Sequence, residues 1–367
     1  MPGKLYVLRG GERVGENRRG RLVLCCLGAV LLGLIFLSFL LGRYPVPPGM
    51  LLRILLHKLL QALGNLLGPV LPGASGWGMN VVWDGSMEAV AWNIRLPRIL
   101  LSCLVGCCLS TAGASYQGVF QNPMASPDIL GATNGAAFGA ALAILLGAAS
   151  QMITVSAFVF SVITVAAAFL ISRLAGGKRV LTLVLAGIMV GSLFSAGTSF
   201  IKLVADPSNQ LPEITYWLMG SLSGARWKQV GLAVIPMAVG LVPLLLLRWR
   251  VNVLTLGDDE ARTMGVNAGR VRLIVILCAT LITAASVAVS GMIGWVGLVI
   301  PHLSRKLVGN DYRYLMPVSM LFGASFMLAV DDVSRNLLAT EIPIGILTAF
   351  VGAPFFIWLI TRKGDAF

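Results

Sequence analysis

Leu22-Val-Leu-Cys-Cys-Leu-Gly-Ala-Val-Leu-Leu-Gly-Leu-Ile-Phe-Leu-Ser-Phe-Leu-Leu-Gly42 carries no charged residue and a single hydroxyl. A helix needs ~20 apolar residues to cross the hydrocarbon core of a bilayer, and this run supplies them. It is too long for the apolar core of a signal peptide and lacks a convincing small-residue cleavage site, so it reads as an uncleaved transmembrane helix. Further apolar runs follow at 99–120, 129–149, 152–172, 180–204, 230–247, 273–291, 295–307, 314–333 and 343–361. The run at 295–307 is short for a full crossing and holds Gly297 and Pro301, which marks a partial or tilted helix buried among neighbours. The fold expected is all-α, a polytopic membrane bundle of ten transmembrane helices with one of them short or partial.

Composition agrees. Of 367 residues 57% are hydrophobic and 12% charged, with mean hydropathy +0.86, against roughly 25% charged in average globular domains. A soluble chain could not hide so much apolar surface, and the same figure excludes disorder. The formal charge of +13 comes from 28 Lys and Arg against 15 Asp and Glu. These cations form short clusters at the edges of apolar runs, as membrane topology produces, with no basic face for nucleic acid. With the N-terminus inside, the cytoplasmic segments collect Lys4, Arg9, Arg13, Arg18, Arg19, Arg21, Arg173, Lys178, Arg179, Arg248, Arg250, Arg262, Arg270, Arg272, Arg305, Lys306, Arg313, Arg362 and Lys363. Both termini are therefore expected in the cytoplasm. The organisation expected is a tail over 1–19, a ten-helix domain over 20–361 and a tail over 362–367. Within the domain, 43–94 is a long outer segment and 254–268 an inner loop.

The outer segment contains Met50 to Leu67, where leucines alternate with Arg53, His57 and Gln61 at helical spacing. This predicts an amphipathic helix lying on the outer leaflet or on the bundle, followed by a Pro/Gly-rich loop over Gly68 to Gly78. Gly131, Gly135 and Gly139 form one row on a helix face, and Gly187 and Gly191 another that Ser195 and Ser199 continue. Such rows let helix backbones approach closely in lipid, so internal packing is their expected use.

No Asp, Glu, Lys or Arg sits near the middle of any span, and Asp128, Lys202, Asp331, Asp332 and Arg335 fall at ends or in loops. Ion-coupled carriers usually need an ionisable group at mid-membrane depth. A Walker A sequence is missing too, since Gly176-Gly177-Lys178-Arg179 lacks the upstream glycine and the Ser/Thr. If the chain pumps, another chain supplies the energy. There is no HExxH, no GxSxG and no Ser/His/Asp set at one depth, so no catalytic role is expected. His302, beside Pro301, reads as a helix-end or loop residue. Six cysteines (Cys25, Cys26, Cys103, Cys107, Cys108, Cys278) all lie in apolar stretches, which disfavours a disulfide framework or zinc site, and two histidines are too few for a metal cluster. No cofactor or metal is expected in this chain.

The inner loop reads as a short helix outside the membrane. Asp258, Asp259 and Glu260 load its N-terminus, Arg262 follows, and Gly265 can end it. With Leu254, Leu256 and Met264 expected to be exposed, it suits a docking element.

Five stretches together resemble the FecCD-type permeases, membrane subunits of binding-protein-dependent ABC importers for ferric siderophores, haem and vitamin B12. They are Arg95-Leu-Pro-Arg98; Gln117-Gly-Val-Phe-Gln-Asn122-Pro-Met-Ala-Ser-Pro-Asp-Ile-Leu-Gly131; Leu256-Gly-Asp-Asp-Glu-Ala-Arg-Thr-Met-Gly265; Gly294-Trp-Val-Gly-Leu-Val-Ile-Pro-His302; and Glu341-Ile-Pro-Ile-Gly-Ile-Leu-Thr-Ala-Phe-Val-Gly-Ala-Pro354. The likeness runs from about residue 95 to 361.

The resemblance implies two copies around a central path lined mainly by the fifth and tenth spans. Two cytoplasmic ATPases, which bind ATP and Mg, would dock on a coupling helix formed here by Leu256, Gly257, Asp258, Asp259, Glu260, Ala261, Arg262, Thr263, Met264 and Gly265. One substrate-binding protein would meet Arg95, Arg98 and Arg335 on the outer face. Inner-gate positions fall on Asn122 and Met124, with Val180 and Leu181 standing where the vitamin B12 importer's permease has small hydroxyl residues. Leu211 to Ser221 is similar to a short outer helix near the path mouth. The cargo implied is an iron chelate (ferric siderophore or haem), with cobalamin the alternative, and the home a bacterial or archaeal cytoplasmic membrane. Asn122-Pro123-Met124-Ala125 superficially resembles the half-helix of water channels, but no second Asn-Pro exists, which leaves a self-contained channel or carrier a remote alternative. An intramembrane enzyme is disfavoured by the missing catalytic set.

Overall fold

The structure is a computed structural model and describes residues 10–67, 81–175 and 179–361. The expected loop at 68–78, residues 176–178 and the outermost tails lie outside the described residues. Every regular element among the described residues is helical. In chain order these are α1 (Gly10–Leu40), α2 (Pro48–Leu67), α3 (Gly85–Ala89), a π-helical segment (Val90–Arg95), α4 (Leu96–Val119), a 3-10 turn (Pro127–Leu130), α5 (Ala132–Leu145), α6 (Ser150–Ala175) and α7 (Arg179–Val204). There follow α8 (Gln210–Leu218), α9 (Trp227–Leu254), α10 (Asp258–Thr263), α11 (Ala268–Ser290), α12 (Val296–Val308), α13 (Tyr312–Asn336) and α14 (Ile344–Thr361). Seven of the described helical segments are long and apolar enough to cross a membrane, while α5 and the described part of α14 are shorter apolar helices. With its lipid-like exterior, this is a membrane helical bundle. Leu193, Leu246 and Phe350 are each more than 70% exposed on α7, α9 and α14.

α4 is the hub, packing most extensively on α13 and then on α11, α12 and α9. Its small residues allow this. A Cβ added at Gly113 would lie 1.7 Å from the Gly297 carbonyl oxygen, and one at Gly106 2.2 Å from that of Gly323. Helices at such separations gain dispersion contacts that side chains of ordinary size would prevent. The Gly135 and Gly139 positions face α6 at Thr164 and Ser156, and Gly187 and Gly191 face Leu130 and Gly131. Internal packing is therefore how both glycine rows are used. Ser195 and Ser199 do not extend the contact, because both are exposed.

Helix boundaries differ from the hydropathy reading where polar residues interrupt apolar runs. α1 begins at Gly10, inside the stretch read as tail. The helix through α3, the π segment and α4 begins at Gly85, where Asp84, Glu88, Asn93 and Arg95 had lowered the local hydropathy. α9 continues to Leu254, so that residue is fully buried and not exposed as expected. α2 is the predicted amphipathic helix. It buries Leu51 and Ile54 against Phe39, Trp83 and Ile99, setting His57 edge-on to Trp83 with ring centroids 5.4 Å apart.

Candidate functional site

Three backbone corners meet where α8 and α11 finish and α14 begins. Ser221 N donates to Ser290 O at 2.8 Å, Ile344 N to Gly220 O at 2.8 Å and Gly345 N to Met219 O at 3.2 Å. Gly220 takes φ +73° and Gly291 φ +69°, a left-handed conformation that glycine adopts without penalty. A Cβ at Gly220 would lie 2.4 Å from Met292 O. These corners rim an open groove of ≈ 730 Å³, whose walls are Leu218 and Met219 at the end of α8, Met292–Trp295 before α12, one side of α14, and Asp128 and Thr133 around the start of α5. The short helix expected near the path mouth is α8, and its end lines this groove. One side of α14 lines the groove, and none of α7's described residues does.

Two non-glycine residues hold positive φ, one in the groove wall and one on the α4–α5 link. Trp295 sits at φ +71° before α12, and its ring occupies the space left by Gly352, where a Cβ would lie 2.5 Å away. On that link Gln121 holds φ +50°, a region that costs a non-glycine residue of order 1 kcal/mol. Gln121 Nε2 donates to Leu254 O at 2.7 Å, bridging the α4–α5 link to the last carbonyl of α9. Beyond it Asn122 Oδ1 accepts from Met124 N at 2.9 Å. Both expected gate residues on this link are exposed, as is Leu181 at the start of α7, while Val180 is half-buried.

The link then turns back into the bundle. Pro127 fills the space above Gly297, 2.4 Å from where a Cβ would stand, and Leu130 is fully buried against Gly187. Between them Asp128 opens into the groove and accepts a hydrogen bond from Thr133 Oγ1.

The inner loop forms α10, a single exposed turn and a half. Gly265 at φ +74° ends it, with Val266 N donating to Ala261 O and Gly265 N to Arg262 O, both at 2.9 Å. This is the Schellman arrangement that satisfies the last carbonyls. Ala261 is buried, Leu256 and Met264 are more than half exposed, and Asp258 pairs with Arg272 of α11 at 2.7 Å. The hydrogen bond from Arg272 holds the Asp258 carboxyl below its usual range. That pairing is complete above the ordinary carboxylate pKa and is lost only as pH falls through the lowered one, so it persists across physiological pH.

Arg95, Arg98 and Arg335 all lie inside the protein, at 4%, 7% and 9% exposure, with internal partners. Arg98 forks onto Asp331 at 2.9–3.1 Å and onto Glu341 at 2.8–3.0 Å. Arg335 binds Asp332, Ser38 Oγ and, at 2.9 Å, Ser38 O. Arg95 donates to the carbonyls of Phe39 and Tyr44. None offers the free surface guanidinium that the docking expectation needs, because each is committed to tying α1, α4 and α13 together. His302 sits within α12 beside the Phe355 ring, its Nε2 buried without a hydrogen-bond partner among the described residues. Sequence reasoning missed Glu341 as a partner and Gln121 as a strut. The signal for the first was its position inside a motif, and the second had none.

The sequence profile of the FecCD transport family matches residues 30–362. The chain is 42% identical over 273 residues to the molybdate import system permease protein MolB of Haemophilus influenzae, covering 74% of this chain and 81% of that one. It is 38% identical over 324 residues to the cobalamin import system permease protein BtuC of Halobacterium salinarum, covering 88% and 87%. With the hemin transport system permease protein HmuU of Yersinia pestis it shares 38% identity over 327 residues, covering 85% and 97%. A solved inward-facing conformation of a metal-chelate type ABC transporter superposes with a TM-score of 0.78 at 37% identity, covering 92% of this chain and 98% of that one.

Proposed function

The chain belongs to the FecCD transport family of ABC importer permeases, and from that premise we propose that it carries an iron chelate, or a corrinoid, across the cytoplasmic membrane of a bacterium or archaeon. The observation that carries this reading is the groove. At ≈ 730 Å³ and walled almost wholly by apolar side chains and glycine backbone, it suits a bulky, largely apolar chelate. A small oxyanion would lose its hydration there with no cation to replace it.

In this reading α1, α4, α5, α6, α7, α9, α11, α12, α13 and α14 make ten passages with both termini in the cytoplasm. Two copies enclose the path, and their grooves face one another. Two ATPases dock on the 254–268 loop, α10 acting as the coupling helix through exposed Leu256 and Met264. ATP and Mg belong to those partners, and this chain performs no catalysis. Asn122, Met124, Val180 and Leu181 form the inner gate, with Gln121 relaying motion from the end of α9. One substrate-binding protein sits on the outer face, and the buried Arg95–Arg98–Arg335 network serves as the frame beneath that contact.

The test is uptake in a strain deleted for this chain, offered labelled ferric siderophore, haem, cobalamin and molybdate separately. Loss of iron-chelate or corrinoid entry alone is the expected result. Loss of molybdate entry alone contradicts it.

A further inference from the structure

Asp128 is the one charged side chain among the groove's described lining residues. The chain's 28 Lys and Arg supply none of that lining. We propose that Asp128 is a charge filter in the path, selecting cargo of zero or positive net charge over oxyanions and polycarboxylate complexes. This rests on the groove being the route of the cargo.

The placement is built rather than incidental. Pro127 is wedged into the space over Gly297 on one side, and Leu130 and Gly131 are clamped against Gly187 and Gly191 on the other. Gly131 at φ +78° turns the chain into α5, which brings Thr133 round to donate to the Asp128 carboxylate. The carboxylate is thereby tied by a hydrogen bond at the groove wall, six residues along the chain from Asn122, where cargo would pass towards the link carrying Asn122 and Met124. Apolar walls weaken screening, so a carboxylate there acts on a passing charge more strongly than one in open water. Like-charge contact with an anion is penalised, and a cationic or neutral chelate is not. A second copy facing the first would add an identical charge.

The experiment keeps the full chain in membranes with its ATPase. Ala353, which lines the groove, is replaced (Ala353→Cys) in a background where the two exposed cysteines carry Cys25→Ser and Cys26→Ser. Modification rates with a cationic and an anionic methanethiosulfonate reagent are then compared for Asp128, Asp128→Asn and Asp128→Arg. The proposal expects the cation-to-anion rate ratio to fall about tenfold on Asp128→Arg, with Asp128→Asn between. An unchanged ratio overturns it. A cysteine that neither reagent reaches overturns the path reading itself. In cells, a cationic ferric trihydroxamate, a neutral one, ferric citrate and molybdate are offered to the wild-type importer. Entry confined to the hydroxamates supports the filter, and equal or faster entry of citrate or molybdate refutes it. Entry of none of the four refutes iron-chelate import, and the modification ratio then decides the filter for a corrinoid cargo.

Discussion

Arg98 reaches carboxylates that lie 233 and 243 positions further along the chain, and Asp331 is wholly buried beneath it. Charges taken out of water are tolerable only when each is paired and its remaining hydrogen-bonding capacity is satisfied. The bidentate contact to Asp331 and the second fork onto Glu341 meet that condition. Removing one side leaves an uncompensated charge, so Arg98→Ala should lower stability by roughly 3–5 kcal/mol, read as a large drop in the melting temperature of the detergent-solubilised protein. A loss no greater than that of an exposed control such as Arg250→Ala would contradict the assignment. The motif Arg95-Leu-Pro-Arg98 was legible in the sequence, and so was the abundance of acid near Arg335. Burial was not legible, because hydropathy places these residues at a span's edge and says nothing about which distant segment closes over them.

Elements show a similar division between what local chemistry fixes and what packing decides. The limits of α10 could be read off, since acidic residues at its start and Gly265 at its end are local signals. The π-helical turns over Val90–Arg95 carry no such signal, although they join α3 to α4 in one continuous helix. Leu254 was misjudged for the reverse reason, because α9 runs on past the end of its apolar run and tucks that residue inside. Gln121 is the strut between these parts, holding the α4–α5 link to the carbonyl just before α10. Replacing it by glycine relaxes the φ +50° backbone and removes only the bond to Leu254. Gln121→Gly should therefore leave ATP hydrolysis within about twofold of wild type while uptake per ATP falls on the order of tenfold. Unchanged uptake per ATP would show that the link moves independently of α9.

At the scale of the whole molecule, the class of fold followed from length and composition alone, and seven of the expected spans coincide with helices to within about five residues. The exceptions are α1 and α4, whose helices begin well before their apolar runs, and α9, which ends well after its own. What composition could not supply was the interior arrangement, with α4 as hub, glycine corners drawn together by hydrogen bonds between non-adjacent segments, and a groove whose walls come from four separate stretches of chain. These arise from long-range contacts that no window of sequence contains. No described span presents an ionisable group at its centre to couple to an ion gradient, and the account centres on a passive path driven from outside through the 254–268 loop. The most direct measurement is cargo uptake into proteoliposomes holding this chain with its binding protein, with and without the ATPase. The account predicts no uptake without the ATPase under any proton or sodium gradient, and uptake on adding the ATPase with Mg-ATP. Gradient-driven uptake by the chain without ATPase would contradict it.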